Sequence, residues 1–344
     1  MGVSQEAIQS GPGRHALFLT LVVGASEVAA RAVRQLGADL AGLVRTVGHR
    51  DESAALSCVL AIGADAWERL VPGRSRPAQL HPFRALEDAT RRAPSTPGDL
   101  LLHIRAERAD FCHELGRMII GSLGSAVQVV DETQGFSYMD SRDLIGFVDG
   151  TENPGGEARR EATIVGDEDP AHAGGSYITV QRYVTDLDRW QQTPTAEQER
   201  VIGRTKAEGI ELDGPPTAHK ERAKLVRDGV EKKILRQNRP WGTTRESGTY
   251  FIAYARDLSV TEAMLERMFI ADADGLYDHL LDFTHPVTGV NFFAPAVDVL
   301  ESLAATDGAA AAEVPADETL GIGSLRESEL FPTRGTPTKP KKAS

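Results

Sequence analysis

Ala16-Leu-Phe-Leu-Thr-Leu-Val-Val-Gly-Ala25 is an apolar run that passes without a break into Ser26-Glu27-Val28-Ala29-Ala30. The run has the length of a signal-peptide core. However, it begins well inside the chain, Arg14 is the only charge beside it, and helix-like sequence follows directly. It is also far short of the roughly 20 residues that a helix needs to cross a bilayer. A buried strand is the remaining reading, with Ser26 as the N-cap and Glu27 in the first turn of an amphipathic helix that extends to about Val47.

Outward from this pair, strand-like sequence returns at 54–62, and helical 65–70 leads into a Pro-rich connection over 72–97. A strand is predicted at 99–105, a helix at 109–123 and a strand at 127–131. A similar series recurs as strand 177–184, helix 195–209, strands 233–237 and 250–256, helix 261–269 and strand 289–293. The pattern predicts an α+β chain made of two copies of one unit. Each copy is an antiparallel sheet with helices packed on it, the ferredoxin-like arrangement with split βαβ connections. The boundaries expected are 1–140 for an N-terminal domain and 141–302 for a C-terminal one. The Ala-rich, then Pro/Thr/Lys-rich stretch 303–344 has little to bury and reads as a flexible tail.

With 344 residues, 41% hydrophobic and 26% charged, the chain has the composition of a folded globular protein. Its 38 basic and 50 acidic residues give a net charge of −12, which opposes nucleic acid and anionic membrane as partners. Only Cys58 and Cys112 are present, so no disulfide framework or Cys-rich metal site is signalled, and a reducing cytoplasmic compartment is expected.

Three features point to chemistry. In Ile145-Gly-Phe-Val-Asp-Gly-Thr-Glu-Asn-Pro154, two turn-forming pairs follow a short apolar stretch. Such a loop lifts a carboxylate, Asp149, out of a strand end for acid–base work, or Asp149 simply caps a turn. In Arg236-Gln237-Asn238, strand alternation puts a guanidinium and an amide on one face, a pairing suited to negative charge on oxygen. Most of the basic residues around them, between 220 and 239, belong to solvent. Finally, no two of the nine histidines have a metal-ligand spacing. That leaves open a site served by one imidazole, as at His219, although any single histidine is more ordinarily a packing or surface residue.

Gly146-Phe-Val-Asp-Gly-Thr-Glu-Asn-Pro154 resembles the signature of dye-decolorizing peroxidases, which carry GxxDG in a loop over haem. Asp143-Leu144, Ile202-Gly-Arg-Thr-Lys206, Ile210-Glu-Leu-Asp213, Gly248-Thr-Tyr-Phe-Ile252, Leu281-Asp-Phe283 and Val287-Thr-Gly289 are similar to the bacterial B-type branch, so the resemblance covers about 16–300. It implies two ferredoxin-like domains, dimeric α/β-barrel-like, around one haem b per chain. It also implies an enzyme that reduces hydrogen peroxide and oxidises dyes, phenolics or other one-electron donors through a high-valent iron-oxo intermediate. A deferrochelatase-like, haem-handling protein with little turnover is the alternative.

By position, the resemblance makes His219 the axial ligand of the haem iron and Asp282 the carboxylate that accepts its Nδ1–H. Asp149, Arg236 and Asn238 form the distal catalytic set, Arg204 partners a haem propionate, and Phe251 and Phe293 pack the haem edge, unless both phenylalanines are ordinary core. His172, His279 and His285 are the fallback ligands, and Tyr183, Trp190, Trp241 and Tyr250 are the electron-relay candidates. The family's Ser-His followed by small and apolar residues is replaced here by Ala218-His219-Lys220-Glu221-Arg222. Leu320-Gly-Ile-Gly-Ser-Leu-Arg326 resembles the targeting peptide that loads such peroxidases into encapsulin shells. Leu320, Ile322 and Leu325 would enter apolar pockets of the shell protein. A cytoplasmic homo-oligomer inside an encapsulin nanocompartment is the location implied.

Overall fold

The computed structural model describes residues 2–305. The peptide carrying Leu320, Ile322 and Leu325 lies outside the described residues. The opening run is β1 (His15–Val23), followed by α1 (Glu27–Gly48), whose Ser26 cap accepts a hydrogen bond from the Ala29 amide at 3.2 Å. The first half contributes β2 (Ser57–Gly63), β3 (Leu100–Ala106), α2 (Ala109–Leu123) and β4 (Val127–Phe136). The second contributes β5 (Ser176–Thr185), β6 (Leu235–Arg236), β7 (Arg239–Gly242), β8 (Ser247–Ala255), β9 (Thr284–Pro286) and β10 (Val290–Ala294).

These strands form one sheet in the order β6-β8-β7-β4-β1-β3-β2-β10-β5-β9. A further antiparallel pairing of β8 with β5, Tyr250 opposite Arg182, closes it into a barrel. Strands of both halves therefore share one sheet. They meet where β10 pairs with β2 and where Trp241 of β7 pairs with Gly135 of β4.

Alternation explains why the strands read as unbroken apolar runs: they are buried on both faces. Leu17, Leu19 and Leu21 of β1 pack on the outer layer with Ala30, Val33 and Leu36 of α1, and with Leu115 and Ile119 of α2. Phe18 points into the barrel, where its ring stacks on Tyr250 of β8 at 3.9 Å. On β8 the same rule sends Tyr250, Ile252 and Tyr254 inward. Thr249 and Phe251 are left on the outer face. The helix expected at 195–209 ends at Ile202, because Gly203 takes the left-handed conformation at φ 86°. No helix of the described residues is long and apolar enough to cross a membrane.

Candidate active site

The outer face of β5 and β8 is covered by α3 (His219–Arg222), α4 (Leu258–Phe269) and the loop that contains 143–153. Between them lies a cavity of about 300 Å³. Phe251, Met264, Leu265 and Leu281 give it apolar walls, Asp149, Arg236, Asn238 and His219 supply polar groups, and Arg204, Lys220 and Lys233 add cations.

The loop's shape follows from its glycines. Gly146 and Gly150 have φ of 89° and 74°, a region that side chains rarely enter, and a Cβ at Gly146 would meet Lys206 Cε at 2.7 Å. Arg142 donates to the Gly146 carbonyl at 2.8 Å and to that of Lys206 at 2.6 Å, and Trp190 Nε1 donates to the Ile145 carbonyl at 2.9 Å. Asp149 Oδ1 accepts from the Gly150 amide at 2.7 Å, which fixes the carboxylate at the cavity wall. Asn153 joins the loop to β6. Its Nδ2 donates to the Arg236 carbonyl at 2.7 Å and its Oδ1 accepts from the Arg236 amide at 2.9 Å.

Both Arg236 and Asn238 border the cavity, whereas Gln237 is buried on the other side, hydrogen-bonded to Arg105 and to the Ser10 carbonyl. Asn238 Oδ1 accepts from the Ile252 amide at 3.2 Å, which leaves its Nδ2 as the group free to donate.

Of the nine histidines, His219 is the one that lines the cavity. Its Nδ1–H donates to Asp278 Oδ2 at 2.6 Å, and Nε2 makes no hydrogen bond among the described residues. This corrects the expectation for Asp282. Asp278 precedes the short 3-10 turn His279–Asp282, caps it by accepting from the Leu280 amide at 2.9 Å, and is fully buried. Asp282, at the turn's far end, is exposed and accepts instead from the Tyr277 hydroxyl at 3.1 Å.

Phe293 is also corrected. On β10 it packs edge-on against Trp67, His172 and Tyr177 in the core under α1, away from the cavity that Phe251 lines. Arg204 lines the cavity with its guanidinium already paired to Glu152 and Glu211. Among the fallback histidines, His172 is buried in that core and His285 is exposed on β9. Tyr183 lines the cavity, while Trp190 lies behind the loop and Tyr250 inside the barrel.

Asp143 is a second carboxyl of the cavity that sequence reasoning passes over. It accepts from the Thr249 hydroxyl and from the Ile145 amide. Burial pushes its acid up from the ordinary range, the Thr249 hydrogen bond pulls against this, and the charge of Asp149 adds to it. The folded state therefore holds this proton more tightly than the unfolded chain. Stability is lost as pH rises from about 3.9, the unfolded value, through the raised folded one. Asp143→Asn keeps a carbonyl oxygen for the Ile145 amide, turns its Nδ2 to the Thr249 hydroxyl, which can accept as well as donate, and removes that loss. Its melting temperature should exceed the parent's at pH 7–8, with the gap closing toward pH 4 in a series of thermal melts.

Asn153 reads as a turn former because nothing in sequence shows its amide meeting the Arg236 backbone. Asp278 and Asp282 flank one turn, and only the buried end of that turn faces the imidazole.

One imidazole fixed by a buried carboxylate, in a cavity with apolar walls, has the donor chemistry to hold a haem by His219, while the cations Arg204, Lys220 and Lys233 at its rim are paired with glutamates. Fold and site together define a closed barrel with a one-imidazole cavity on its outer face, an arrangement suited to a haem enzyme. The family models described as "Dyp-type peroxidase, N-terminal" and "Dyp-type peroxidase, C-terminal" match residues 5–137 and 140–299. The dye-decolorizing peroxidase of Mycobacterium tuberculosis is 48% identical over 319 residues, 91% of this chain and 94% of its own.

DyPB from Rhodococcus jostii superposes with a TM-score of 0.84 at 49% identity, covering 87% of this chain and 98% of that one. A DypB variant in complex with heme gives 0.85 at 48%, covering 88% and 99%. The encapsulated DyP-type peroxidase from Mycobacterium smegmatis gives 0.84 at 45%, covering 88% and 98%. The chain belongs to the Dyp-type peroxidase family. It is a peroxidase, and its cofactor is haem.

Proposed function

We propose that this peroxidase reduces hydrogen peroxide in the cavity under the 143–153 loop, with one haem b per chain held by His219, and draws electrons from dyes, phenolics or similar one-electron donors. Haem, when bound, supplies the redox centre that takes oxidising equivalents from peroxide and passes them on singly. The chain's own residues supply the rest. Asp149, as a carboxylate, accepts a peroxide proton and returns it to the oxygen that leaves as water, a service typically worth about 10²–10⁴-fold. Arg236 stabilises the negative charge that grows on the departing oxygen, and Asn238 Nδ2 orients peroxide or water. On the other part of the site, the Nδ1–H donation from His219 to Asp278 makes the ring a stronger electron donor.

The observation that carries this reading is that Asp149, Arg236 and Asn238 border the same cavity as its one imidazole. Mere haem handling needs neither the acid nor the guanidinium. The test is an optical spectrum of the purified holoenzyme, followed by stopped-flow mixing with peroxide and then a phenol. Rapid spectral change reversed by the phenol is expected. Haem without that change would turn the reading toward haem handling, and no haem after supplementation would overturn both.

We also propose that the peroxidase is encapsulin cargo in the cytoplasm, docked through Leu320, Ile322 and Leu325. The support is the resemblance of 320–326 to a targeting peptide and the encapsulated state of the Mycobacterium smegmatis relative. Deleting 319–344 should leave turnover intact while abolishing co-purification with co-expressed shell, and unimpaired loading would refute the assignment.

A further inference from the structure

The segment that presents His219 cannot hold itself in place. α3 is a single four-residue turn, and Ala218 at its N-cap offers no side-chain hydrogen bond. A one-turn helix has no stability of its own, because the cost of nucleation is not recovered. Its position must come from outside: Lys220 Nζ donates to the Leu212 carbonyl at 3.0 Å on one side, and Arg222 holds the side that faces Asp278.

Arg222, at the end of α3, is 5% exposed and reaches across to the 267–276 segment. Its Nε donates to the Arg267 carbonyl at 2.9 Å, Nη1 to Asp272 Oδ2 at 2.9 Å, and Nη2 to the Leu276 carbonyl. Asp272 in turn accepts from the amides of Asp274 at 3.1 Å and Leu276 at 2.9 Å, so one carboxylate closes the turn and receives the guanidinium. Two residues past Leu276 comes Asp278, the partner of His219. Two further ties join the segments, and both end on backbone: the His279 amide donates to the Thr217 carbonyl at 3.1 Å, and Arg267 Nη2 to the Glu221 carbonyl at 3.2 Å.

We infer that Arg222 is a positioning residue for the His219–Asp278 pair: its guanidinium fixes α3 against the segment that carries Asp278 and so sets the strength of the hydrogen bond on His219 Nδ1. The inference rests on His219 being the haem ligand. Three acceptors converge on one planar fork, which an ammonium on a flexible stem cannot satisfy together. The ion pair with Asp272, half exposed at its acidic end, contributes orientation more than energy.

The test is resonance Raman spectroscopy of the ferrous holoenzyme in Arg222→Met, Arg222→Lys and Asp272→Asn, with the ferric reduction potential and thermal melting measured alongside. A weaker hydrogen bond on Nδ1 lowers the iron–histidine stretching frequency and raises the potential. Arg222→Met should show the largest downward shift, Arg222→Lys should recover part of it, and Asp272→Asn should shift least. A lower melting temperature with the frequency and potential unmoved would overturn the inference, since that is what a purely structural arginine gives. Should Arg222→Met fail to fold, unmoved bands in the other two variants would overturn it equally. A parent enzyme with no iron–histidine band would instead refute the ligand assignment.

Discussion

Arg236→Leu should give a protein that retains haem yet reacts with peroxide about 10²–10³-fold more slowly, the usual cost of removing one preorganised donor aimed at developing charge. The geometry makes this substitution a clean one. The strand position of residue 236 is held through its backbone amide and carbonyl by the Asn153 side chain, so loss of the guanidinium leaves the clamp between loop and strand in place. Arg236 forms no ion pair among the described residues, in contrast to Arg204, whose charge is committed to Glu152 and Glu211. Its positive charge is therefore free to act in the cavity. Leucine fills a similar stem volume without charge. The measurement is the second-order rate of the optical change on mixing with peroxide, with haem content determined on the same sample. An unchanged rate would mean that the guanidinium does not stabilise the departing oxygen. On the proposed roles Arg236 and Asp149 serve the same bond cleavage, so combining Arg236→Leu with Asp149→Asn should cost far less than the product of the two single losses.

How much of the fold and site is legible in the sequence depends on the range of the interaction. Local rules serve well: Ser26 caps α1, the apolar runs are strands, and the two-residue period separates Arg236 and Asn238 from Gln237. The glycines of the 146–150 motif occupy backbone conformations that explain their presence. What fails are choices between chemically equivalent residues that only long-range packing decides. Asp278 and Asp282 are both carboxylates on one short turn, and the selection of Asp278 depends on which end of the turn faces a helix 59 positions away in sequence. Phe251 and Phe293 are both strand phenylalanines, but β8 turns one toward the cavity and β10 turns the other under α1. The closure of both halves into one barrel rests on pairings such as Tyr250 with Arg182, which no periodicity within a single segment encodes.

His219→Ala should strip the protein of most of its haem, and the reason lies in what surrounds the ring. No other histidine lines the cavity. His172 is wedged between Trp67 and Phe293, His285 is exposed on β9, and His279 follows Asp278 with its ring 4.9 Å from that of Tyr277. None can substitute without rebuilding the core, the turn or strand β9. The substitution also leaves the fully buried Asp278 carboxylate without its imidazole partner, while Oδ1 keeps only the Leu280 amide. Hydrogen bonds to charged groups are worth about 1.5–3 kcal/mol, so the apoprotein should lose melting temperature as well. Exogenous imidazole can occupy the space vacated by the side chain and donate to Asp278, and it should restore haem retention and the axial spectrum in a concentration-dependent way. The measurements are haem content and the Soret spectrum of the variant with and without added imidazole. An axial spectrum that survives the substitution unaided would mean that the iron is held elsewhere, and the distal roles of Asp149, Arg236 and Asn238 would have to be derived again from a different ligand.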